Sequence, residues 1–591
     1  MLKLTDLHAK VYLHSRDPLH YGDVPDTLPE EILTEKEQVF ELTLPDGRID
    51  FIKLGKSFTV RTPAWVVFEL EQEKAENEEL FIGATDLYFG VWLNGKRIID
   101  RLHGDKFTDP VILPMQAGKN LLAIRVAAGI YGWNLALGAT KNEIQYRTML
   151  LNLLLPSETK RNFDAYLESA HSSEWTGQIK RDTEANRMSD AEIIITDKNG
   201  KPLPNAEFEL KQTESEFLFG ANLFPQGQLG EEQNALWEKA FLDLFNIGTL
   251  PLVWRDYEPV PGHFRFDASS EPIWRKPALD SVINFAKKNH LAVKGQPLVA
   301  RWQPEWAPKD HAGLRKAYER YFDALAERYS DAFDILDVEN EAMMLKRRQT
   351  GAPLFTPDFD YVNWAFREAE KRFSKRTLFE INEATAINAP GPAAEYQKWI
   401  RIFIERGADI RSVGLQFHWV HRFGKAILLH LMKNSAFALP ELRKTYLTYT
   451  SLNKPLFISE VTVATTFPIG GIPGEEVQAE LVEQLYRLWF SLPNMRGILY
   501  WNLADGTAFG NECNAFGGIL RSDLSPKPAA LKLRKLIKEE WRTNLSGKTD
   551  AEGKIRFKGF RGSYVLSLKN RKTPFEFVLD QNGVKKFSSC E

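Results

Sequence analysis

Two glutamates at the ends of apolar segments could perform acid–base chemistry together. Glu341 lies near the end of residues 333–342, which alternate apolar and acidic side chains as a short buried strand does. Glu460 ends a second apolar segment, residues 455–460. Hydrolysis of a glycosidic bond needs such a pair, because one carboxyl group protonates the leaving oxygen and the other attacks or stabilises the anomeric carbon. The sequence therefore indicates Glu341 and Glu460 as catalytic residues.

The dipeptide that contains Glu341 does not identify a site by itself. Asn-Glu occurs at five places, beginning at residues 77, 142, 340, 382 and 511. The copy at Asn340 differs because it ends a strand within a regular series of strand-then-helix units, and Glu460 ends another strand of that series. Glu383 also follows an asparagine at a strand end, so it competes with Glu341 for the catalytic role.

Composition argues against several classes of partner. The chain of 591 residues carries 76 basic and 79 acidic side chains. This near-balance produces no long-range electrostatic field that would attract nucleic acid or an anionic membrane. Cys513 and Cys590 are the only cysteines, and neither has a metal-ligand spacing. We therefore expect no metal, no cofactor and no disulfide framework, and the expected partner is a poly- or oligosaccharide substrate. The sequence leaves the oligomeric state open.

Hydropathy gives an expectation for the compartment. No run of about 18 apolar residues occurs, so no membrane span is expected. The first ten residues contain no uninterrupted apolar segment, so no signal peptide is expected in the chain as written. The protein would be extracellular or periplasmic if a signal had been removed, and cytoplasmic otherwise.

Residues 1–150 have the pattern of an all-β module. Runs such as residues 64–70 and 121–126 lie between turn signals, and Asn94-Gly95 favours the positive φ angles of a type I′ hairpin. The pattern resembles the galactose-binding-like jelly-roll modules that are attached to many glycoside hydrolases. Such modules either brace their neighbour or bind sugar, and the sequence leaves both roles open.

Two further regions lie between this module and the ends of a central repeat. Residues 151–190 are polar and charged with weak helical character, and we interpret them as a connector. Residues 191–212 and 545–591 contain similar strand-and-turn patterns. Because these two segments flank a predicted closed barrel, whose ends lie near one another, we expect them to form one small split β-domain.

Residues 213–544 alternate short apolar runs with amphipathic helices, which is typical of βα units. Eight units predict a closed (β/α)8 barrel with its chemistry at the C-terminal ends of the strands. The fold class is therefore multidomain: a TIM barrel with an N-terminal β-sandwich and a small split β-domain. The predicted strands lie near residues 217–222, 247–252, 292–299, 335–339, 378–382, 412–418, 456–460 and 498–502.

The predicted strand ends collect aromatic, amide and cationic side chains. Aromatic faces stack on the apolar faces of sugars, while amides and guanidinium groups bond to hydroxyl groups. In a chain with 15 tryptophans, a group of them at one rim favours a sugar cleft over core packing. The candidate substrate-binding residues are Trp254, Gln296, Arg301, Trp302, Asn340, Gln416, His418, Trp419 and Trp501.

Five motifs, in this order, resemble those of glycoside hydrolase family 10, the xylanase family. They are Phe219-Gly220, residues 337–342, residues 414–418, residues 457–461, and Tyr500-Trp501 with residues 526–529. The resemblance extends over residues 217–541 and implies a retaining mechanism with Glu341 as acid/base and Glu460 as nucleophile. It further implies that Asn340 contacts the sugar 2-hydroxyl, that Gln416 and His418 orient groups near the nucleophile, and that Trp501 forms the floor of the −1 subsite.

The chain departs from the family pattern where the substrate would bind. Residues 248–254 lack the family's Glu-Asn and Lys that hold the −2 sugar, and residues 295–301 lack the His and Trp that flank the −1 sugar. A substituted or acidic glycan is therefore expected in place of plain xylan. Rim guanidinium groups at Arg255, Arg301 and Arg422 would pair with carboxylate or sulfate. The same arginines could instead pair internally with Asp256, Glu258 or Glu305.

Glu339 stands where the family usually has an apolar residue. It shares strand parity with Asp337 and Glu341, so three acids are predicted to face the barrel interior. Lys294, of matching parity on the neighbouring strand, is their expected counter-charge.

Two rival functions remain open. Because residues 248–254 and 295–301 lack the family's substrate-binding side chains, the chain could be a catalytically inactive glycan-binding or scaffold protein with the same barrel. A metal-dependent barrel hydrolase is the weaker rival, because His418 and His421 are the only close histidine pair near a strand end.

Overall fold

The computed structural model describes residues 2, 4, 6–13, 25–34, 39–54, 63–84, 89–101, 110–127, 133–152, 156–197, 199–343, 358–419, 438–466, 468–569 and 573–583. The chain divides into two compact units. The first contains residues 1–168, 386–395 and 421–445, and the second contains residues 169–385, 396–420 and 446–591. In the described ranges, no helix is both long and apolar enough to cross a membrane. The finer domain boundaries given above stay predictions.

The first unit contains two antiparallel sheets. Its strands are β1 (Leu7–Leu13), β2 (Val39–Leu44), β3 (Arg48–Asp50), β4 (Pro63–Gln72), β5 (Glu76–Ala84), β6 (Phe89–Leu93), β7 (Lys96–Arg101), β8 (Val111–Met115), β9 (Gly118–Ala127) and β10 (Asn134–Gly138), and the short helix α1 (Glu30–Thr34) lies between β1 and β2 in the chain. The strand orders are β2-β1-β4-β9-β6-β7 and β3-β10-β5-β8. Val66, Ile124 and Leu135 belong to one core that draws on both sheets, which is the arrangement of a β-sandwich.

The hairpin predicted at Asn94-Gly95 is confirmed. These two residues join β6 to β7 with φ angles of 50° and 82°, as a type I′ turn requires.

The predicted connector is more helical than its sequence indicates. It contains two whole helices, α3 (Pro156–Ala170) and α4 (Ser173–Arg187), and it begins with the last two residues of α2 (Lys141–Asn152). Ser172 caps α4 by accepting a hydrogen bond from the Trp175 amide. At the other end of α4, Arg187 donates to the Phe490 carbonyl oxygen at 2.6 Å. Tertiary contacts of this kind stabilise helices whose intrinsic propensity is modest.

Strands β11 (Met188–Ile194) and β12 (Glu207–Ser215) follow, and then eight parallel strands close a barrel in chain order. The barrel strands are β13 (Leu218–Asn222), β14 (Ile247–Pro251), β15 (Ala292–Gln296), β16 (Ile335–Asn340), β17 (Leu378–Glu383), β18 (Ser412–Trp419), β19 (Leu456–Val463) and β20 (Met495–Tyr500). The α-helices of the described residues in this part are α5 (Glu231–Leu244), α6 (Trp254–Tyr257), α7 (Leu279–Lys288), α8 (His311–Tyr329), α9 (Asp360–Arg372), α10 (Pro390–Glu405), α11 (Leu439–Tyr449), α12 (Gly474–Ser491) and α13 (Pro528–Lys535). The predicted (β/α)8 barrel is confirmed.

Four C-terminal strands complete two small sheets with β11 and β12. They are β21 (Asn544–Lys548), β22 (Lys554–Phe560), β23 (Gly562–Leu568) and β24 (Phe575–Leu579). Strand β11 pairs with β22, and the second sheet has the order β21-β12-β23-β24. Ile193, Leu210 and Leu566 belong to one core between these sheets, so segments from both sides of the barrel fold together.

A bulge in β16 changes which acids face the barrel interior. Asp337 pairs across the sheet with Glu380, and Glu339 pairs with Ile381, so the register shifts by one residue between them. The shift reverses side-chain parity, and Glu339 contacts Tyr361 of α9, whose hydroxyl donates to it at 3.0 Å. The prediction that Glu339 faces the interior beside Asp337 is therefore wrong.

Candidate active site

Glu460 is surrounded by hydrogen-bond donors. It lies on β19, where a register shift just before the Gln416–Glu460 pair sets its direction, and it is 4% exposed. One carboxylate oxygen accepts two hydrogen bonds. The donors are the side-chain amide of Gln296 and, at a distance of 3.1 Å, the side-chain amide of Asn382. The other lies 3.1 Å from Nε2 of His418. An ionised carboxylate is an acceptor only, so these contacts suit a negatively charged Glu460.

A chain of side-chain amides connects Glu460 to Glu341. The Asn382 amide that bonds to Glu460 also donates to Oδ1 of Asn340, at 2.9 Å. Gln416 donates to the same oxygen at 3.2 Å and to Oε1 of Glu341 at 3.3 Å. The structure therefore joins Glu341, Gln416, Asn340, Asn382 and Glu460 in one network at the C-terminal ends of four neighbouring strands, with the half-buried Glu341 just past the end of β16.

Two polar groups at this network have no partner among the described residues. The oxygen of the Gln296 side chain is buried and accepts no hydrogen bond. Asn340 uses its oxygen within the network, while its Nδ2 group makes no hydrogen bond there. Buried polar groups are normally satisfied, so the Gln296 oxygen lacks an expected partner, while the Asn340 Nδ2 group is available to a substrate hydroxyl group.

Glu383, the competing candidate, accepts hydrogen bonds from backbone N–H groups. Its two carboxylate oxygens accept the amides of Met343 at 2.7 Å and Ala384 at 2.8 Å. Its carboxylate thus supports the chain next to Glu341, whereas Glu341 contacts the amide network through its own side chain.

Trp501 lies beside His418 at the end of β20. Their ring centroids are 6.1 Å apart in an edge-to-face arrangement. Phe224 packs edge-on against Trp501 at 5.2 Å, and Arg275 and Lys276 each lie 5.1 Å from the Phe224 ring centroid. The half-buried indole therefore has a supporting layer that carries two positive charges.

The other predicted aromatic and cationic residues make different contacts. Trp254 is buried, donates to Glu258 at 2.7 Å and packs on Tyr318 at 4.4 Å, as a core residue does. Trp419 is buried against Phe417 at 5.0 Å. These contacts of the two indoles are therefore with core side chains and not with the amide network.

Two of the three predicted rim arginines are described. The guanidinium group of Arg301 lies 4.8 Å from the ring of Trp302, and both side chains are half-buried. Arg255 pairs with Asp256 at 3.1 Å, which is the internal pairing that the sequence left open. Arg422 and His421 lie outside the described residues.

Beneath the network, the barrel interior holds a buried ion pair. Lys294 donates to Glu380, and neither side chain is exposed. Burial opposes the charge of Lys294, but the charge and the hydrogen bond of Glu380 outweigh burial and raise the lysine pKa. Burial and the neighbouring Glu380 and Glu460 raise the pKa of Asp337 well above its ordinary value despite Lys294, so Asp337 is held protonated. Glu380 is thus the direct partner of Lys294, and the prediction of Lys294 as shared counter-charge of three acids was incomplete.

Three residues of the site were not among the candidates. Asn382 links the two glutamates, Ser459 donates to Asn382 at 2.6 Å, and Thr462 contacts His418 at 2.9 Å. Asn382 could have been found as an asparagine at a strand end, and Thr462 as the residue that shares strand parity with Glu460. Among the described residues, no group of three or more His, Cys, Asp or Glu could hold a metal ion.

The comparison with protein families decides what kind of barrel this is. Residues 262–535 match the family model of glycosyl hydrolase family 10. The barrel is a family 10 glycosyl hydrolase domain. The match begins after β14, so the departures in residues 248–254 lie outside it.

Relatives of the family 10 domain carry different names. Anti-sigma-I factor RsgI6 of Acetivibrio thermocellus is 24% identical over 417 residues, which are 69% of this chain and 49% of that protein. Endo-1,4-beta-xylanase 2 of Arabidopsis thaliana is 22% identical over 394 residues, 64% of this chain and 32% of that protein. The chain thus spans half or less of the length of these curated relatives. The crystal structure of native xylanase 10B from Thermotoga maritima superposes with a TM-score of 0.44 and 17% identity, covering 55% of this chain and 96% of that one.

Proposed function

We propose that this chain is a retaining glycoside hydrolase that cleaves a β-linked glycan by double displacement. The observation that carries the proposal is the amide network of Gln416, Asn340 and Asn382 that connects Glu341 to Glu460. A retaining enzyme needs two carboxyl groups held in a fixed relation across one glycosidic bond. The family 10 barrel and the relatives named endo-1,4-beta-xylanase support a xylan-type backbone.

Each glutamate has one role in each half of the reaction. Glu460 attacks the anomeric carbon, and Glu341 gives its proton to the departing glycosidic oxygen, so that a glycosyl–enzyme ester forms. Glu341, now a carboxylate, takes a proton from water, which attacks the anomeric carbon and releases Glu460. The donors around Glu460 hold the carboxylate in one orientation for attack, and the Asn340 Nδ2 group is placed to bind a hydroxyl of the same sugar.

The substrate that we propose is a substituted or acidic xylan-type glycan. Arg275 and Lys276 lie on the Phe224 ring that supports Trp501, and Arg301 lies over Trp302. Guanidinium and ammonium groups favour carboxylate or sulfate over neutral hydroxyl groups. Acidic side groups are therefore expected to bind on the Trp501 side of the site.

A glycan-binding role without hydrolysis is the second candidate. It is favoured by the similarity to a protein named anti-sigma-I factor and by the missing −2 and −1 residues in 248–254 and 295–301. Against it, the donors around Glu460 and the link to Glu341 supply the groups that hydrolysis needs.

Release of reducing sugar from a panel of glycans tests both candidates. We expect the wild type to cleave glucuronate-substituted xylan better than unsubstituted xylan. Glu460→Gln should reduce cleavage to background, and Glu341→Gln should reduce it by about 10²–10⁴-fold. Binding of the same glycans by the wild type without any cleavage would favour the second candidate, and vigorous hydrolysis of plain xylan would overturn the substrate proposal.

A further inference from the structure

The backbone that carries Glu341 is held by hydrogen bonds at three successive amides. Residues 341–343 directly follow β16, and all three N–H groups of this segment are bonded. In chain order, they donate to the carbonyl oxygen of Asn382 at 2.9 Å, to a carboxyl oxygen of Glu339 at 3.3 Å and to a carboxylate oxygen of Glu383 at 2.7 Å. Two of the three acceptors are therefore buried glutamate side chains.

Glu341 needs such support because its backbone conformation is unfavourable. Its φ angle is 66°, in the left-handed region that residues with a Cβ atom rarely adopt. Strained conformations of this kind persist only where the surrounding structure fixes them. The amides of Ala342 and Met343 provide this fixation through Glu339 and Glu383.

The two supporting acids differ in their bonding. Both oxygens of Glu383 accept backbone N–H groups, so both must be acceptors. One oxygen of Glu339 faces the Ala342 amide, and the other faces the hydroxyl of Tyr361, which can donate or accept. Burial and the neighbouring Glu383 raise the pKa of Glu339 well above its ordinary value, so the side chain is held neutral.

We propose that Glu339 and Glu383 are positioning residues for Glu341, holding residues 341–343 so that its carboxyl group faces the leaving oxygen. The proposal rests on the acid/base role assigned to Glu341 above. It gives a function to Glu339, which stands where the family usually has an apolar residue and which the β16 bulge turns toward Tyr361.

One substitution at both positions should give opposite results. Glutamine has the shape of a neutral glutamic acid, so Glu339→Gln keeps an acceptor for Ala342 and a group that bonds Tyr361. Glu383→Gln places an NH2 group against a backbone N–H, and Glu339→Val removes the acceptor altogether. Tyr361→Phe is the matched control, because it removes the hydroxyl and leaves the Glu339–Ala342 bond in place.

Hydrogen exchange tests the backbone part without any substrate. In the full-length protein, exchange of the peptide that contains residues 341–343 should be faster in Glu339→Val and Glu383→Gln than in the wild type. It should stay near the wild-type rate in Glu339→Gln and Tyr361→Phe. Unchanged exchange in both Glu339→Val and Glu383→Gln would overturn the proposal, whether or not the protein cleaves glycans.

The leaving group tests the catalytic part. A phenyl β-xylobioside needs a proton from the acid, whereas a 2,4-dinitrophenyl β-xylobioside departs without one. We expect Glu339→Val and Glu383→Gln to lower kcat/KM by about tenfold or more on the phenyl substrate and by about threefold or less on the dinitrophenyl substrate. Equal losses on both substrates would overturn the positioning of the acid. A wild type that cleaves neither these two substrates nor glucuronate-substituted xylan would instead refute the proposed function, and the exchange result would still decide the backbone part.

Discussion

The imidazole of His418 bridges Glu460 and Thr462. Its Nε2 atom lies 3.1 Å from Glu460, and its Nδ1 atom lies 2.9 Å from the Thr462 hydroxyl. A carboxylate only accepts, so Nε2 carries a proton, while Thr462 can donate to a neutral ring or accept from a charged one. Burial lowers the pKa of His418, but the hydrogen bond and the charge of Glu460 outweigh burial and raise it.

Replacing Glu460 with Gln should therefore change stability in a pH-dependent way. A histidine whose folded pKa is raised adds stability below its unfolded pKa of about 6.5, and that stability is lost as pH rises through the folded pKa. The loss of apparent Tm caused by Glu460→Gln should be larger near about pH 5.5 than near about pH 8.5. In a His418→Gln background the two losses should be equal, and a pH-independent loss in the wild-type background would contradict the coupling.

Thr462→Val should weaken catalysis by loosening His418. The substitution keeps the side-chain shape but removes the hydroxyl next to Nδ1, a hydrogen bond of the kind that contributes about 0.5–1.5 kcal/mol. We expect kcat/KM to fall by about three- to tenfold, and Thr462→Ser to restore most of it. Thr465→Val is the control, because Thr465 bonds to the Phe516 carbonyl and does not contact His418. Equal activity of Thr462→Val and Thr465→Val would show that the hydroxyl does not hold the ring.

Periodicity predicted the barrel because its elements follow local rules. The predicted strand at 247–252 differs by one residue from β14 (Ile247–Pro251), and the predicted strand at 412–418 differs by one residue from β18 (Ser412–Trp419). Buried parallel strands and amphipathic helices are read from spacing alone, so their places need no knowledge of the neighbouring elements.

Side-chain direction was predicted less well because bulges depend on neighbouring strands. Strict alternation along β16 would place Glu339 beside Asp337, but the register with β17 shifts after Asp337 and turns Glu339 toward Tyr361. The true partner of Lys294 is Glu380, on a strand two positions away in the barrel. Trp254 was assigned to the cleft because it follows a strand, yet α6 turns its indole into the core.

Removing one member of the Lys294–Glu380 pair should destabilise the barrel. Breaking a buried ion pair leaves one charge without its partner and typically costs about 3–5 kcal/mol. We expect Lys294→Met to lower the apparent Tm by about 5 °C or more. The double variant Lys294→Met/Glu380→Gln should recover part of this loss, because it removes both charges. Arg376→Ala, at an exposed pair with Asp331, is the control and should leave Tm unchanged. A Tm for Lys294→Met equal to the wild-type value would contradict the assignment.

The stereochemistry of the product tests the pairing of Glu341 with Glu460. A retaining enzyme has carboxyl groups about 5–5.5 Å apart, with no room for an attacking water between them. The first product from a β-linked substrate should therefore be the β-anomer, which NMR spectra taken before mutarotation can detect. Azide added to the Glu341→Gln variant should yield a β-glycosyl azide, because azide needs no base to attack the intermediate. An α-product from the wild type would indicate an inverting site and a wider separation.

Lys276 should make the binding of acidic glycans depend on pH. Burial lowers the pKa of Lys276 to about 8, with Arg275 adding to the effect and Asp256, at 3.8 Å, opposing it. Below that pH the ammonium group can attract a carboxylate or sulfate on the substrate, and above it the charge is lost. The KM for glucuronate-substituted xylan should therefore rise between about pH 7 and about pH 9, while the KM for a neutral substituted xylan stays constant.

Substitution separates this effect from other titrations. Lys276→Met should raise the KM for the acidic glycan at about pH 7 and make it independent of pH through about pH 9. The variant should remain folded, since a lysine whose folded pKa is lowered costs stability below its unfolded pKa, and removing the ammonium removes that cost. Lys288→Met, at an exposed lysine of α7, is the matched control and should keep the wild-type profile. If Lys276→Met and the wild type show the same KM for the acidic glycan at every pH, the charge on the Phe224 ring does not contribute to substrate choice.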